Sequence, residues 1–189
     1  YDMDSEKYFK FGPNMGNLQM GLNRLDSYST IVGHNIIRFD IPAMTKILGW
    51  KPKVSQEILD TLVLSRLVFP DRKSKDFNKK KVSSDQMGRH TLKSWGQRLG
   101  FEKGLYLRSK EVGQSDFTDF DSYSDNMLEY CRRDVQLTVM LFNHLRKANF
   151  SKESIKLEHE IFKICNKQEE DGFPFDAIKA SQFYAVLCE

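Results

Sequence analysis

The chain has 189 residues, of which 40% are hydrophobic, 12% aromatic and 29% charged, the mixture of an ordinary globular domain or of one domain with the start of another. Its three cysteines, Cys131, Cys165 and Cys188, stand far apart; they make neither a CxxC metal pair nor a disulfide framework, and point to a reducing, intracellular setting. No apolar run approaches a membrane span and the amino end has no signal-peptide core, while 29 basic against 26 acidic residues, a net charge of +3, is too balanced to argue nucleic-acid binding alone.

In chain order, YDMDSEKYFKFG reads as a strand end, a turn on Asp4, Ser5 and Glu6, and a second strand, antiparallel because the turn is so short. Leu18, Leu22 and Leu25 share one face of a helix over about residues 17–26. TIVGHN at 30–35 is a short apolar run ending in polar residues, the pattern of a buried parallel strand whose carboxyl end opens onto a site. A helix is expected directly after it, with Asp40 as cap, Pro42 in the first turn, Ile41, Met44 and Leu48 on one face, and Gly49 as the stop. Ile58, Leu59 and Asp60 form the next strand, and 61–68 is its continuation or a helical turn.

Residues 71–81, DRKSKDFNKKK, follow Pro70 and lack apolar periodicity. They read as a solvated surface loop, or as a basic arm along a phosphate backbone with Phe77 placed to stack on a base. Leu92, Trp95 and Leu99 mark a helix stopped by Gly100; the longest helix runs from Ser124 or Asp125 to about 147; another covers about 152–170 and ends at Gly172 and Pro174. Strands alternating with helices argue an α/β layer with parallel pairings, joined to an antiparallel opening pair: a mixed sheet flanked by helices.

Two short patterns could carry chemistry. In LEYCRRDV, Tyr130 and Asp134 are four residues apart, so phenol and carboxylate lie on one helix face. Taken alone, a half-buried tyrosine beside a surface aspartate accounts for the pair. In GHNIIRFD, Asn35, Phe39 and Asp40 sit at a strand-to-helix junction, where Asp40 can be a helix cap and Asn35 a loop amide.

Together the two resemble the second and third motifs of the DEDD exonucleases in their tyrosine-containing branch. Longer stretches, GHNIIRFDIPAMTKILGW, ILDTLVLSRLVFPD, GRHTLKSWGQRLG and EYCRRDVQLT, resemble the 3′→5′ exonuclease domain of family A, Pol I-like DNA polymerases of the T-odd phage type. KQEEDGFPFD resembles the segment that leads from that domain into the polymerase domain.

The resemblance implies a ribonuclease H-like three-layer fold, with residues 1–150 as the exonuclease domain, its first strand missing, and 151–189 as a helical linker and the start of the polymerase domain. It implies hydrolysis of the 3′-terminal phosphodiester of single-stranded DNA with two Mg²⁺ or Mn²⁺ ions, hard cations that prefer carboxylate oxygen. On it, Asp134 and Asp40 would hold the ions and Tyr130 would orient the attacking water. Asn35 and Phe39 would seat the 3′ nucleotides. Arg89 and His90 would meet the DNA backbone, a structural role for His90 standing beside that; Asp60 would support the site or cap the following turn. The partners implied are a single-stranded DNA 3′ end and a polymerase domain of the same parent chain, in the cytoplasm of an infected bacterium and with no membrane.

One element of the resemblance is missing. The family's first motif is Asp-x-Glu on a strand, and Asp4 and Glu6 have the spacing but stand in a turn. The motif is therefore expected upstream of Tyr1, in keeping with a chain that opens on Tyr rather than Met and stops inside an expected helix; alone, this piece is expected to be nearly inactive. Two other readings stay open: a ribonuclease H-like nucleic-acid-binding module whose catalysis has decayed, and a stand-alone exoribonuclease with the same tyrosine motif.

Overall fold

The structure, a computed structural model, describes residues 1–12, 17–101 and 124–188. It is an α/β arrangement, mostly helical. Among the described residues the sheet has two strands, β1 (Thr30–Gly33) and β2 (Glu57–Asp60), paired in parallel with Ile31 opposite Ile58 and Gly33 opposite Asp60. The expected antiparallel opening pair is reduced to one bridge, Asp2 to Lys7, with Asp4, Ser5 and Glu6 in the turn between.

Around the strands, α1 (Leu18–Ser27) starts on Asn17, whose side chain accepts the Gln19 N–H. The crossover helix α2 (Asp40–Leu48) joins β1 to β2 and stops at Gly49, at φ 68°, a left-handed conformation that glycine adopts without a Cβ penalty. Ile31, Ile36 and Trp50 form one apolar core, packed by Leu22, Leu25, Ile41 and Met44. Its polar margin is closed by the Trp50 indole N–H to Asp26 at 2.9 Å, and by the Gln56 amide to the carbonyls of Leu25 and Tyr28, both at 2.8 Å.

A second core lies among helices. It joins Leu64 of α3 (Thr61–Val68), Trp95 of α5 (Leu92–Leu99), and Leu141 and Leu145 of α6 (Asp125–Leu145). Residues 61–68 are thus a helix and not an extension of the strand. α6 begins on Ser124, whose hydroxyl accepts the Met127 N–H at 3.1 Å, and α5 stops at Gly100. Beyond it, α7 (Lys152–Asp171) packs on α3, and α8 (Ala177–Leu187) follows with no buried residue. No described helix is long and apolar enough to cross a membrane.

The expected loop at 71–81 is instead helix α4 (Arg72–Lys79). Its inward face is ionic rather than apolar, which is why no apolar period reveals it. Asp76 is buried and accepts two hydrogen bonds from the Arg98 guanidinium, at 3.0 and 2.6 Å, one from Arg72 at 3.2 Å and one from the Gly88 N–H at 3.0 Å. Burial alone would push the Asp76 carboxyl up, but these donors and the two positive charges hold it below the ordinary carboxylate value. The guanidinium carbons of Arg72 and Arg98 lie 4.9 and 4.8 Å from the Trp95 ring, within cation–π reach. The lysines of α4 and Phe77 stay exposed.

Candidate functional site

Because β1 and β2 are parallel and end together, Gly33 opposite Asp60, both carboxyl ends open at one edge of the sheet, the place where α/β folds gather ligands. The turn 34–39 leaves from that edge. Asn35 takes a left-handed φ of 60°, and its Oδ1 is shielded from solvent without a hydrogen-bond partner among the described residues. Gly33 admits the turn: a Cβ there would stand 2.6 Å from Cβ of Ile36.

Phe39 closes the turn with a ring 69% exposed. Asp40 is the first residue of α2 and not its cap; Phe39 occupies that position and no side chain caps the helix. The Asp40 carboxylate faces the positive end of the helix dipole. The surrounding protein nevertheless raises its pKa above the ordinary value, by desolvation first and by the Asp60 charge in addition, against its own N–H, which lowers it.

Tyr130 and Asp134 stand one above the other on α6. Leu137, Leu141 and Leu145 form the buried stripe of that helix, and the three- and four-residue steps 130, 134, 137, 141 place tyrosine and aspartate on its continuation. A carboxylate therefore prolongs a core-facing stripe instead of the solvent face. The helix packs on β1, α3 and α5; at Gly96 a Cβ would meet Cδ2 of Leu137 at 3.2 Å. The Cys131 thiol is pushed up, by burial first and by the neighbouring Asp134 charge next.

Beside the turn lies a cleft of about 690 Å³ lined by His34, Asn35, Arg66, Arg89 and His90 among others. His90 is held structurally at the wall of this cleft. Ser65 Oγ donates to the Leu62 carbonyl at 2.9 Å, so the 2.9 Å contact with His90 Nδ1 must be a donation from the ring. Burial, with Arg98, Arg66 and Arg72 nearby, depresses His90 to about 4 from the ordinary 6.5. Arg89 is fastened by its carbonyl, which accepts from Ser94 Oγ at 3.0 Å and from Arg98 at 2.7 Å.

Of the expected residues, the structure brings Asn35, Arg89 and His90 to one cleft and puts Asn35, Phe39 and Asp40 on one turn. Phe39 does not line the cleft. Tyr130 and Asp134 stand apart in sequence on the helix that packs on β1. Among the described residues no group of three or more His, Cys, Asp or Glu side chains is placed to hold a metal. The donor chemistry of Asp40 and Asp134 still fits a hard divalent cation, since Mg²⁺ is commonly held through one or two carboxylates with water and substrate phosphate.

No local spacing marks His159 as part of the site. Its Nε2 accepts the Asp60 N–H at 2.8 Å and its Nδ1 donates to the Ile155 carbonyl at 2.8 Å. Asp60 itself carries both roles open to it, capping α3 through the Leu62 N–H and supporting the turn 34–39.

No protein-family model matches this chain. Over 99% of its length it is similar, at 28% identity, to the "DNA-directed DNA polymerase" of Escherichia phage T7. It is equally similar, at 28% identity over 99% of its length, to the "DNA-directed DNA polymerase" of Enterobacteria phage T3. The chain spans 32% of the length of either relative. The resemblance to T-odd phage DNA polymerases drawn from the motifs thus spans nearly the whole length of the chain.

Proposed function

We propose that this chain is the greater part of the 3′→5′ proofreading exonuclease domain of a phage-type replicative DNA polymerase, hydrolysing the terminal phosphodiester of single-stranded DNA. The observation that carries it is the stripe of α6. A core-facing helix face that turns from leucine to Asp134 and Tyr130, on a helix packed on β1, suits a catalytic carboxylate better than a surface one. The likeness to the phage polymerases along 99% of the chain supports the same reading.

Divalent ions, Mg²⁺ or Mn²⁺, supply charge neutralisation and water activation when bound. Asp134 and Asp40 would hold them. The Tyr130 hydroxyl, one helical turn before Asp134, orients the attacking water. Asn35 and Phe39, the latter with an exposed side chain, seat the 3′-terminal nucleotides, and Arg89 with His90 meets the DNA backbone. Asp4 and Glu6, which have the spacing of the family's Asp-x-Glu, stand in the turn of the opening bridge, a poor seat for metal ligands. The fold would be ribonuclease H-like. Residues 1–150 form the nuclease domain and 151–189 lead into a polymerase domain of the parent chain, at work in the cytoplasm of the infected bacterium.

The test uses the complete protein that carries this chain, with end-labelled single-stranded DNA and Mg²⁺. Stepwise shortening from the 3′ end is expected, and Asp134→Ala is expected to abolish it. An unchanged rate in that variant would overturn the site. Binding of DNA with no Mg²⁺-dependent shortening would favour a non-catalytic binding module. Shortening of RNA in preference to DNA would favour the exoribonuclease.

A further inference from the structure

The Asp60 carboxylate is fully buried, yet most of its bonds leave its own strand end. Oδ1 accepts the N–H of Asn35 at 2.8 Å and of Leu62 at 2.9 Å, and Oδ2 accepts the N–H of Ile37 at 3.2 Å. Capping α3 needs only the Leu62 bond. The other two reach back 25 and 23 residues and fix the stretch of backbone just before Phe39 and Asp40. That stretch includes Asn35 at a left-handed φ of 60°, a conformation asparagine takes more readily than most residues with a Cβ and which the two bonds hold in place.

Asp60 is in turn held from behind. Its N–H donates to His159 Nε2, and satisfying both bonds of that ring places its proton on Nδ1, toward the Ile155 carbonyl. Arg38, in the same turn, pairs with Glu169 of α7. From α7, His159 thus holds Asp60, and Glu169 pairs directly with the turn that presents Asn35, Phe39 and Asp40.

We infer that Asp60 is a positioning residue of the nuclease site: through the Asn35 and Ile37 N–H groups it sets the backbone that aims Asn35, Phe39 and Asp40. It touches neither nucleic acid nor metal in this role. The inference rests on the exonuclease reading for its effect on rate, but its hold on the turn can be measured without any nuclease activity.

Asp60→Asn keeps Oδ1 for Asn35 and Leu62 but turns an amide N–H₂ against the Ile37 N–H. Asp60→Ser keeps an N-cap for α3 with a side chain too short for the turn. In the complete protein, both are expected to speed hydrogen–deuterium exchange in peptides covering residues 33–39 while α3 peptides stay protected. Both are also expected to lower kcat on single-stranded DNA on the order of 10–100-fold, the usual scale for losing such support, and to raise KM, since Asn35 and Phe39 move with the turn. Val82→Ala, which trims a buried side chain outside the site, is the destabilised control and should keep its kcat. Unchanged exchange over 33–39, or a kcat loss no greater than that of Val82→Ala, would overturn the inference. An unmutated protein with no action on DNA would sink the exonuclease reading, and the exchange pattern would still decide whether Asp60 holds the turn.

Discussion

Arg98 grips Asp76 with two hydrogen bonds, at 3.0 and 2.6 Å, in a place where both side chains are almost wholly out of water. Removing the acid leaves two buried guanidinium groups facing each other across Trp95. Asp76→Ala is expected to cost about 3–5 kcal/mol in urea unfolding, the penalty of an unpaired buried charge. The triple replacement Asp76→Leu with Arg98→Met and Arg72→Met, which leaves no buried charge unpaired there, should recover much of that loss. A triple variant no more stable than Asp76→Ala would show that the ionic cluster is not the fastener of α4.

His90 makes the fold sensitive to mild acid. The unfolded imidazole takes up its proton near 6.5, the folded one only near about 4. Between those values the unfolded chain binds more protons, so stability falls as pH drops through the window and is fully present above it. Unfolding midpoints followed across that range should decline, and His90→Gln should flatten the decline. A slope that survives the substitution would assign it to other groups.

Gly33→Ala tests the turn by space alone. The added methyl would stand 2.6 Å from Cβ of Ile36 and 2.7 Å from its Cδ1, and Cβ cannot swing away as a side-chain tip can. A loss of about 1–3 kcal/mol is expected, as for overpacking generally. On the exonuclease reading the nuclease rate should fall with it, since the turn carrying Asp40 must move. Wild-type stability in thermal unfolding would contradict the packing described.

His159→Ala removes the acceptor of a buried N–H at Asp60 and a ring that is only 4% exposed. The orphaned donor is expected to cost about 1–3 kcal/mol. The distinguishing sign is local: hydrogen exchange should rise along α7 and around Asp60 while the core at Trp95 stays protected. Uniform loosening of the whole chain would mean that the histidine supports packing in general rather than this joint.

What the residues revealed beforehand follows from how locally each feature is encoded. Asn17, Gly49, Gly100 and Ser124 act within one turn of chain, and the helix ends fall at them. The apolar runs at 30–33 and 57–60 needed only each other, and they pair. α4 escaped because the residues it buries, Arg72 and Asp76, are the types that patterning assigns to the surface; only Arg98 and Trp95, brought from another helix, make them interior. Asp40 fitted a cap by composition, yet the chain enters α2 one residue earlier, with Phe39 at the boundary. The bond between Asp60 and His159 spans 99 residues, and no local spacing encodes such a meeting. The Tyr130 and Asp134 pair was legible as a helix face; that the face continues a leucine stripe becomes visible only once Leu137 and Leu141 are seen buried.

α8 buries none of its 11 residues, and Ile178, Phe183, Tyr184 and Val186 all meet water. A helix of that length without a packed face is marginal on its own, since its hydrogen bonds must repay nucleation unaided. Its unwinding costs the two cores nothing. A protease added in trace should therefore cut first between Asp171 and Ala177, trimming α8 away and leaving a product that ends near Gly172 and unfolds at the same temperature as the uncut chain.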